Sequence, residues 1–340
     1  KKLNLHSIAV YSDVDKNSKH VRKADESIHI GGSKAQESYL SAVKIIEAAK
    51  NLKADAIHPG YGFMAENADF AQKVIDSGII WIGPKPSTII SMGNKDIARN
   101  LAIKNNLPIC PGLNNEDLKK DDLEKKCNEI GFPILIKASA GGGGIGMHIA
   151  NNFEQLIQSI EKTKNLAQKA FGNSDIFLEK FISNARHIEI QVFGLGEKKA
   201  LHFYERDCSI QRRFQKIIEE SPAPKIEQSI IDEMAESAVN FVTNQKYEGA
   251  GTIEYIYDID NKKFYFLEMN TRIQVEHPVT EAVTNFDLVA MQIKFALNMS
   301  IDTIEQSKIN KSGHAIECRL YAEDPTKNFL PSPGKISKLK

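Results

Sequence analysis

Apolar positions at the start of the chain fall into two alternating patterns. Ser7–Tyr11, Ala56–Ile57 and Ile79–Ile82 are short apolar runs that read as strands. Tyr39–Lys50 instead carries Leu40, Val43, Ile46 and Ala49 at helical spacing. This alternation, which continues to about Gly93, predicts a parallel, Rossmann-like sheet. The loops His58–Phe63 and Gly83–Pro84 each follow a strand. They are therefore placed at the carboxyl edge of the sheet, where ligands of such folds bind.

A charged segment, Asn114–Lys126, separates this region from a second unit. There the pattern predicts a strand (Ile134–Lys137), a glycine loop, a strand (Met147–Ala150), a helix (Phe153 to about Lys169) and a strand (Ile176–Phe181). Beyond Arg186 strict alternation takes over, in His187–Phe193 and again in Thr252–Tyr257. With helices expected at Gln228–Thr243 and Asp287–Leu297, this last region reads as an α+β unit.

The glycine loop Gly141, Gly142, Gly143, Gly144, Ile145, Gly146 satisfies G-x-G-x-x-G, which is weak evidence alone. A dinucleotide fingerprint needs a helix next, whereas Met147–Ala150 reads as a strand. No Gly-Lys-Ser/Thr follows, which removes the Walker A reading, and no His-Arg-Asp or Asp-Phe-Gly marks a protein kinase. A strand–glycine–strand hairpin preceded by Lys137 suits a flap over nucleotide phosphates, because backbone N–H groups approach oxygens closely where side chains are absent. A plain flexible hairpin is the bland alternative.

Thr252–Tyr257 and Phe264–Met269 are joined by a turn around Asp260-Asn261. A turn centred on Asn261 makes Glu254 and Glu268 direct cross-strand partners. Like charges so placed repel, so a cation between them is the natural explanation, with Asn270 adding an oxygen on the same face. An all-oxygen set suits Mg²⁺ or Mn²⁺ bridging ATP phosphates. A register one residue away would leave only a solvated polar face. In the following segment Arg272, Gln274 and Glu276 point the same way if the chain is extended. Arg272 can grip a planar oxyanion such as bicarbonate and Glu276 can take its proton; an ordinary salt-bridge cluster fits the spacing equally well.

Composition narrows the function classes. The 340 residues exceed one ordinary core, so two or three domains are expected. Lys+Arg and Asp+Glu are equal at 44 each, which argues against a broad nucleic-acid or anionic-lipid surface. No apolar run approaches the roughly 18 residues of a membrane span. The cysteines at 110, 127, 208 and 318 form no Cys-x-x-Cys pair, which argues against structural zinc or a disulfide framework and suits a reducing compartment. Lys1 in place of Met, and an apparent strand cut at Ile336–Lys340, lead us to expect an excerpt of a longer protein.

The motifs together resemble the biotin carboxylases. The resemblance rests on Lys137 with Gly141–Met147, on Glu205-Arg-Asp-Cys-Ser-Ile-Gln-Arg-Arg213, on His58-Pro-Gly-Tyr-Gly62, on Glu317-Cys-Arg319 and above all on the string Glu268–Glu281. It covers essentially the whole chain, with the family's first strand and most of its last domain expected outside it. It implies a Rossmann-like domain over residues 1–93, an ATP-grasp fold over 94–313 with a mobile glycine-rich lid at about 110–182, and the start of a C-terminal domain from 314 to 340.

The resemblance also assigns roles. Lys95 and Lys137 contact ATP phosphates, Met147 lies beside the glycine loop, Glu179, Lys180 and Ile182 meet adenine, and His187 and Gln211 approach the ribose. Glu254, Glu268 and Asn270 hold the metals. Lys216, Arg272, Gln274, Val275 and Glu276 surround bicarbonate, with Glu276 the base, and Arg319 faces biotin. The implied reaction is ATP-dependent carboxylation of carrier-bound biotin through carboxyphosphate, the first half-reaction of an acyl-CoA carboxylase. Its implied partners are a biotin carboxyl carrier, a carboxyltransferase subunit and a second copy of the chain, in bacterial cytoplasm or alternatively the mitochondrial matrix. Phe214, where many members carry His, and Ile145, where Arg or Lys is common, are departures that incline toward acyl-CoA carboxylases. The rivals are another ATP-grasp ligase, such as a carbamoyl-phosphate synthetase, and a non-catalytic nucleotide-sensing module. Read by itself, His187 can be a satisfied structural histidine, Arg206, Arg212 and Arg213 a solvated charged edge, and Cys208 a packing residue.

Overall fold

The computed structural model describes residues 2–119, 121–138, 147–213, 215–299, 301 and 303–334. The glycine loop 141–146 and the departures at Ile145 and Phe214 lie outside the described residues.

The N-terminal unit holds β1 (Ile8–Ser12), α1 (Lys19–Lys23), β2 (Glu26–Gly31), α2 (Ala42–Asn51), β3 (Ala56–Ile57), α3 (Ala68–Asp76), β4 (Ile80–Trp81) and α4 (Pro86–Gly93). The pairings β1–β2 and β3–β4 are parallel, as the alternation predicts. Strand β2 is the addition, hidden because Glu26–Gly31 mixes exposed polar and apolar positions. The ladder divides into two pairs. Between them lies a cavity of about 720 Å³ whose lining includes Ile8, Val10 and Ile57, with Ile293 from farther along the chain. Helix α2 starts later than expected, leaving Leu40 exposed before it; Val43, on its outer face, is exposed too, and the unit's core gathers on Phe70, Val74, Ile79 and Trp81.

After α5 (Lys95–Lys104) comes a smaller layer: β5 (Gly112–Leu113), α6 (Leu123–Ile130), β6 (Ile134–Ala138), β7 (His148–Ala150), α7 (Phe153–Phe171) and β8 (Ile176–Lys180). Its sheet runs β5-β8-β6-β7, with β6 and β7 antiparallel on either side of the glycine segment. Asn152 caps α7 by accepting from Gln155 N–H, and Gly172 ends it in the left-handed conformation. Ile134, Ile136, Leu156, Ile176 and Leu178 form a core separate from those of the other two units.

The large sheet is antiparallel throughout, in the order β13 (Lys263–Asn270), β12 (Glu248–Asp258), β9 (Ala185–Leu195), β10 (Ala200–Arg212), β11 (Gln215–Ser221) and β14 (Ala315–Cys318). Ala315–Cys318, within the unit expected from residue 314, supplies the sheet's sixth strand. Helix α8 (Gln228–Asn244) buries Ile231, Met234 and Phe241 against Ile188, Ile190 and Tyr255. A second cluster joins Phe193 and Phe203 to Leu288 and Met291 of α10 (Leu288–Ala296). Helix α9 (His277–Thr284) contacts β10, β11 and β14. Backbones pass so closely at Gly194 that a Cβ there would lie 2.1 Å from the Tyr247 carbonyl oxygen. No helix among the described residues is long and apolar enough to cross a membrane.

Candidate active site

A cleft of about 940 Å³ is lined by residues of both the small and the large sheet. Every expected site residue with a described side chain lines it: Lys137, Met147, Glu179, Lys180 and Ile182 from the small sheet and its edges, His187, Gln211, Lys216, Glu254, Glu268 and Asn270 from the large one. Arg272, Gln274, Val275 and Glu276 reach it from the loop before α9, and Arg319 from beyond β14. Lys95 opens α5, and its side chain lies outside the described residues.

The centre is a row of charges across four strands. Glu254 on β12 is opposite Glu268 on β13 and Glu189 on β9, and Glu189 is opposite Arg206 on β10. The hairpin turn sits half a residue earlier than a centre on Asn261 requires. An extra residue, Leu267, restores the Glu254–Glu268 pairing. A second bulge, at Ile217, separates the pairs Ile210–Ile218 and Gln211–Lys216. It puts Lys216 on the face that carries the carboxylates. Lys216 Nζ donates to Glu189 Oε2 at 2.6 Å, Glu254 Oε1 at 2.9 Å and Glu276 Oε1 at 2.8 Å. Those carboxylates would repel one another across the strands; one buried ammonium holds all three.

Charge states follow. Burial favours neutral Lys216, but Glu189 and Glu254 outweigh it and hold the ammonium well above its ordinary pKa. Burial likewise favours protonated Glu254, yet Lys216 and His187 keep it ionised, well below the ordinary range. His187 Nε2 lies 2.8 Å from Glu254 Oε2, and this pairing overcomes burial to raise its pKa. Glu276 is opposed by burial but lowered to about 2 by Lys216 and Arg206. Arg319 Nη2 donates to Glu276 Oε2 at 2.9 Å.

The remaining expected residues are engaged as follows. Gln211 Nε2 is 3.1 Å from His187 Nδ1. Gln274 Nε2 donates to Glu254 Oε1 at 2.8 Å, as does Asn270 Nδ2 at 2.7 Å. Arg272 spans Asn270 Oδ1 (2.9 Å) and Glu66 Oε2 (2.9 Å). Lys137 pairs with Glu179, which also accepts from Arg99 at 3.1 Å. Lys180 Nζ instead donates to the carbonyls of Gly131 and Phe132, both at 2.9 Å. Segment 271–276 bends into a turn before α9, so the three side chains converge by curvature and not by extension.

Glu189, Glu66 and Arg99 were not singled out from sequence. Glu189 had a signal, since period-two alternation from His187 puts it on the same strand face. Arg206 is not part of a solvated charged edge. It is fully buried, bonded to Glu189, Gln191, Thr252, Gln274 and Thr280. Arg212 pairs with Glu323 and covers the Phe329 ring, while Arg213 donates to the Phe329 carbonyl at 3.4 Å. Cys208 is buried, and burial keeps its thiol protonated.

The donor set fits a hard divalent cation: Glu254 and Glu268 oppose each other, Asn270 adds an amide, and His187, Glu189 and Glu254 bring ligand atoms within 4.8 Å of one another.

Two sheets closing on a charged cleft, one of them ending in a strand–glycine–strand segment, define the ATP-grasp class of ligases. Residues 1–89 match the family model for the biotin carboxylase N-terminal domain, and residues 94–304 that for the ATP-binding domain of the carbamoyl-phosphate synthase L chain. Biotin carboxylase 1 of Bacillus subtilis is 46% identical over 336 residues, covering 99% of this chain and 74% of that protein. The chain belongs to the biotin carboxylase family, whose reaction is the ATP-dependent carboxylation of biotin. The mitochondrial methylcrotonoyl-CoA carboxylase subunit alpha of Dictyostelium discoideum is also 46% identical, and there the chain spans 48% of the relative. Among solved structures, a biotin carboxylase–beta-gamma-ATP complex from Campylobacter jejuni superposes with TM-score 0.89 at 42% identity, over 99% of this chain and 75% of that one. The biotin carboxylase domain dimer of Hydrogenobacter thermophilus 2-oxoglutarate carboxylase, holding MgADP and bicarbonate, gives 0.87 at 40%, over 98% and 75%.

Proposed function

We propose that this cleft performs the biotin carboxylase half-reaction with Glu276 as general base and Lys216 as the charge that organises the site. The observation that carries this reading is the convergence of Glu189, Glu254 and Glu276 on Lys216 Nζ. In the free site Glu276 is ionised and therefore able to accept a proton, but a pKa of about 2 makes it a weak base. It gains basicity as Lys216 and Arg319 turn from it toward incoming anions. Arg272 and Gln274 then hold bicarbonate for attack on the γ-phosphoryl group, giving carboxyphosphate and ADP, and Lys137 leaves Glu179 for the phosphates. Carboxyphosphate gives CO₂ and phosphate; the phosphate takes the ureido proton, Arg319 steadies the ureido oxygen, and the deprotonated ureido nitrogen attacks CO₂ to give carboxybiotin. Glu254, Glu268 and Asn270 would hold Mg²⁺ or Mn²⁺, which neutralises phosphate charge when bound.

The partners we propose are a biotin carboxyl carrier, a carboxyltransferase subunit and a second copy of the chain. Support comes from relatives that are parts of larger carboxylases and from a dimeric neighbour. An acyl-CoA carboxylase is favoured by Phe214 and Ile145. Bacterial cytoplasm, with the mitochondrial matrix as alternative, is proposed from the scattered cysteines.

The test is bicarbonate-dependent ATP hydrolysis, with and without free biotin, by the full-length protein and its Glu276→Gln variant. Biotin stimulation lost in the variant is the expected result. Hydrolysis indifferent to both biotin and bicarbonate would overturn the reading.

A further inference from the structure

Arg319 is held by a second set of carboxylates that the reaction above leaves unused. Glu219 on β11 and Glu317 on β14 are directly opposed in the antiparallel ladder. Glu219 is fully buried and Glu317 half-buried. Glu219 Oε1 accepts from Arg319 Nε at 2.5 Å. Oε2 of Glu219 and Oε2 of Glu317 are both buried and, among the described residues, neither has a hydrogen-bond partner.

Two ionised carboxylates so placed are doubly unfavourable. Like charges opposed across a ladder repel, and a buried acceptor without a donor is costly. A single proton removes both problems, since one acid group then donates to the other. The charged groups facing the pair are Arg319 beside it, Glu276 at the start of α9, Lys216 on β11 and Arg206 on β10. Burial raises the pKa of both carboxyls; Glu276 adds to this, and Glu219 raises Glu317 further, against the opposing pull of Arg319.

We propose that Glu219 and Glu317 share one proton between their Oε2 atoms, and that the resulting monoanion is the positioning group for Arg319. Carboxylates then hold the guanidinium at Nε (Glu219) and Nη2 (Glu276), with Nη1 3.5 Å from the Tyr321 hydroxyl. Fully ionised, the pair would draw Arg319 toward Glu317. Fully protonated, it would lose the charged acceptor at Nε. The functional consequence rests on the reading that Arg319 faces biotin.

The test uses the full-length protein with Glu317→Gln, whose amide is a permanent donor of nearly the same shape, and Glu219→Gln. Infrared difference spectra of wild type against Glu317→Gln at neutral pH should show one protonated-carboxyl C=O stretch lost in the variant. Glu317→Gln should keep the biotin KM within about threefold of wild type and lose the decline of kcat/KM for biotin at high pH. Glu219→Gln should raise the biotin KM about tenfold or more, as expected for losing a charge-assisted hydrogen bond, with biotin-independent ATP hydrolysis little changed. Absence of the carboxyl band overturns the shared proton, even if Glu219→Gln fails to fold. An unchanged biotin KM in folded Glu219→Gln overturns the positioning role. A wild-type protein indifferent to biotin would instead sink the functional reading, while the infrared result still decides the proton.

Discussion

Arg206→Met tests whether the buried arginine supports the row of carboxylates. The substitution keeps length and removes every donor. Glu189 Oε1 loses its charged partner, while Oε2 keeps the Lys216 contact at 2.6 Å and lies 4.0 Å from His187 Nε2. The neutral partners suffer less: Thr252 and Thr280 can rotate, Gln191 still donates to two carbonyls, and Gln274 still donates to Glu254. The cost is therefore set by the half-paired carboxylate. Removing one member of a fully buried ion pair costs about 3–5 kcal/mol. At roughly 2–4 °C per kcal/mol for a unit of 150–250 residues, calorimetry should show the melting transition lowered by about 6 °C or more. Adding Glu189→Gln should recover part of the loss, because the uncompensated charge is gone. A melting point within about 2 °C of wild type would refute the reasoning, and so would a double variant less stable than Arg206→Met.

Lys216→Met leaves three carboxylates without their shared cation, so bicarbonate-dependent ATP hydrolysis should fall by about two orders of magnitude or more; steady-state assay of folded protein decides it. Gly194→Ala drives a Cβ against the Tyr247 carbonyl and should cost about 1–3 kcal/mol, read as a lowered denaturation midpoint. The pH dependence follows from Glu276, whose pKa of about 2 lies below that of an unfolded glutamate. Its ionised form therefore stabilises the fold above about pH 4.3, and that contribution is lost as pH falls toward 2. Melting temperatures between about pH 5 and pH 2.5 should fall less steeply in Glu276→Gln than in wild type; equal slopes would count against the buried ion cluster.

Much of the site was legible along the chain because strands impose a period of two. Alternation in Thr252–Tyr257 and Phe264–Met269, with a short turn between them, brought Glu254 and Glu268 to within one residue of register, and the extra residue Leu267 makes them direct partners; the string Glu268–Glu281 pointed to the chemistry. The strand–glycine–strand order likewise separated this loop from dinucleotide and Walker motifs. Period alone does not say which face of a sheet is covered, or by what. Arg206 reads as a surface charge until Gln274 and Thr280, far along the sequence, close over it. Lys216 reaches three carboxylates because one extra residue at Ile217 turns its side chain. Glu66 meets Thr271 and Arg272 only because the N-terminal unit folds back onto the cleft. The pattern along the chain was sufficient for most of the strands and for the family, but not for β2, β5, β10, β11 or β14. Tertiary packing decided which charges are buried, and so which of them are held ionised, because burial and charge pairing belong to neighbours distant in the chain.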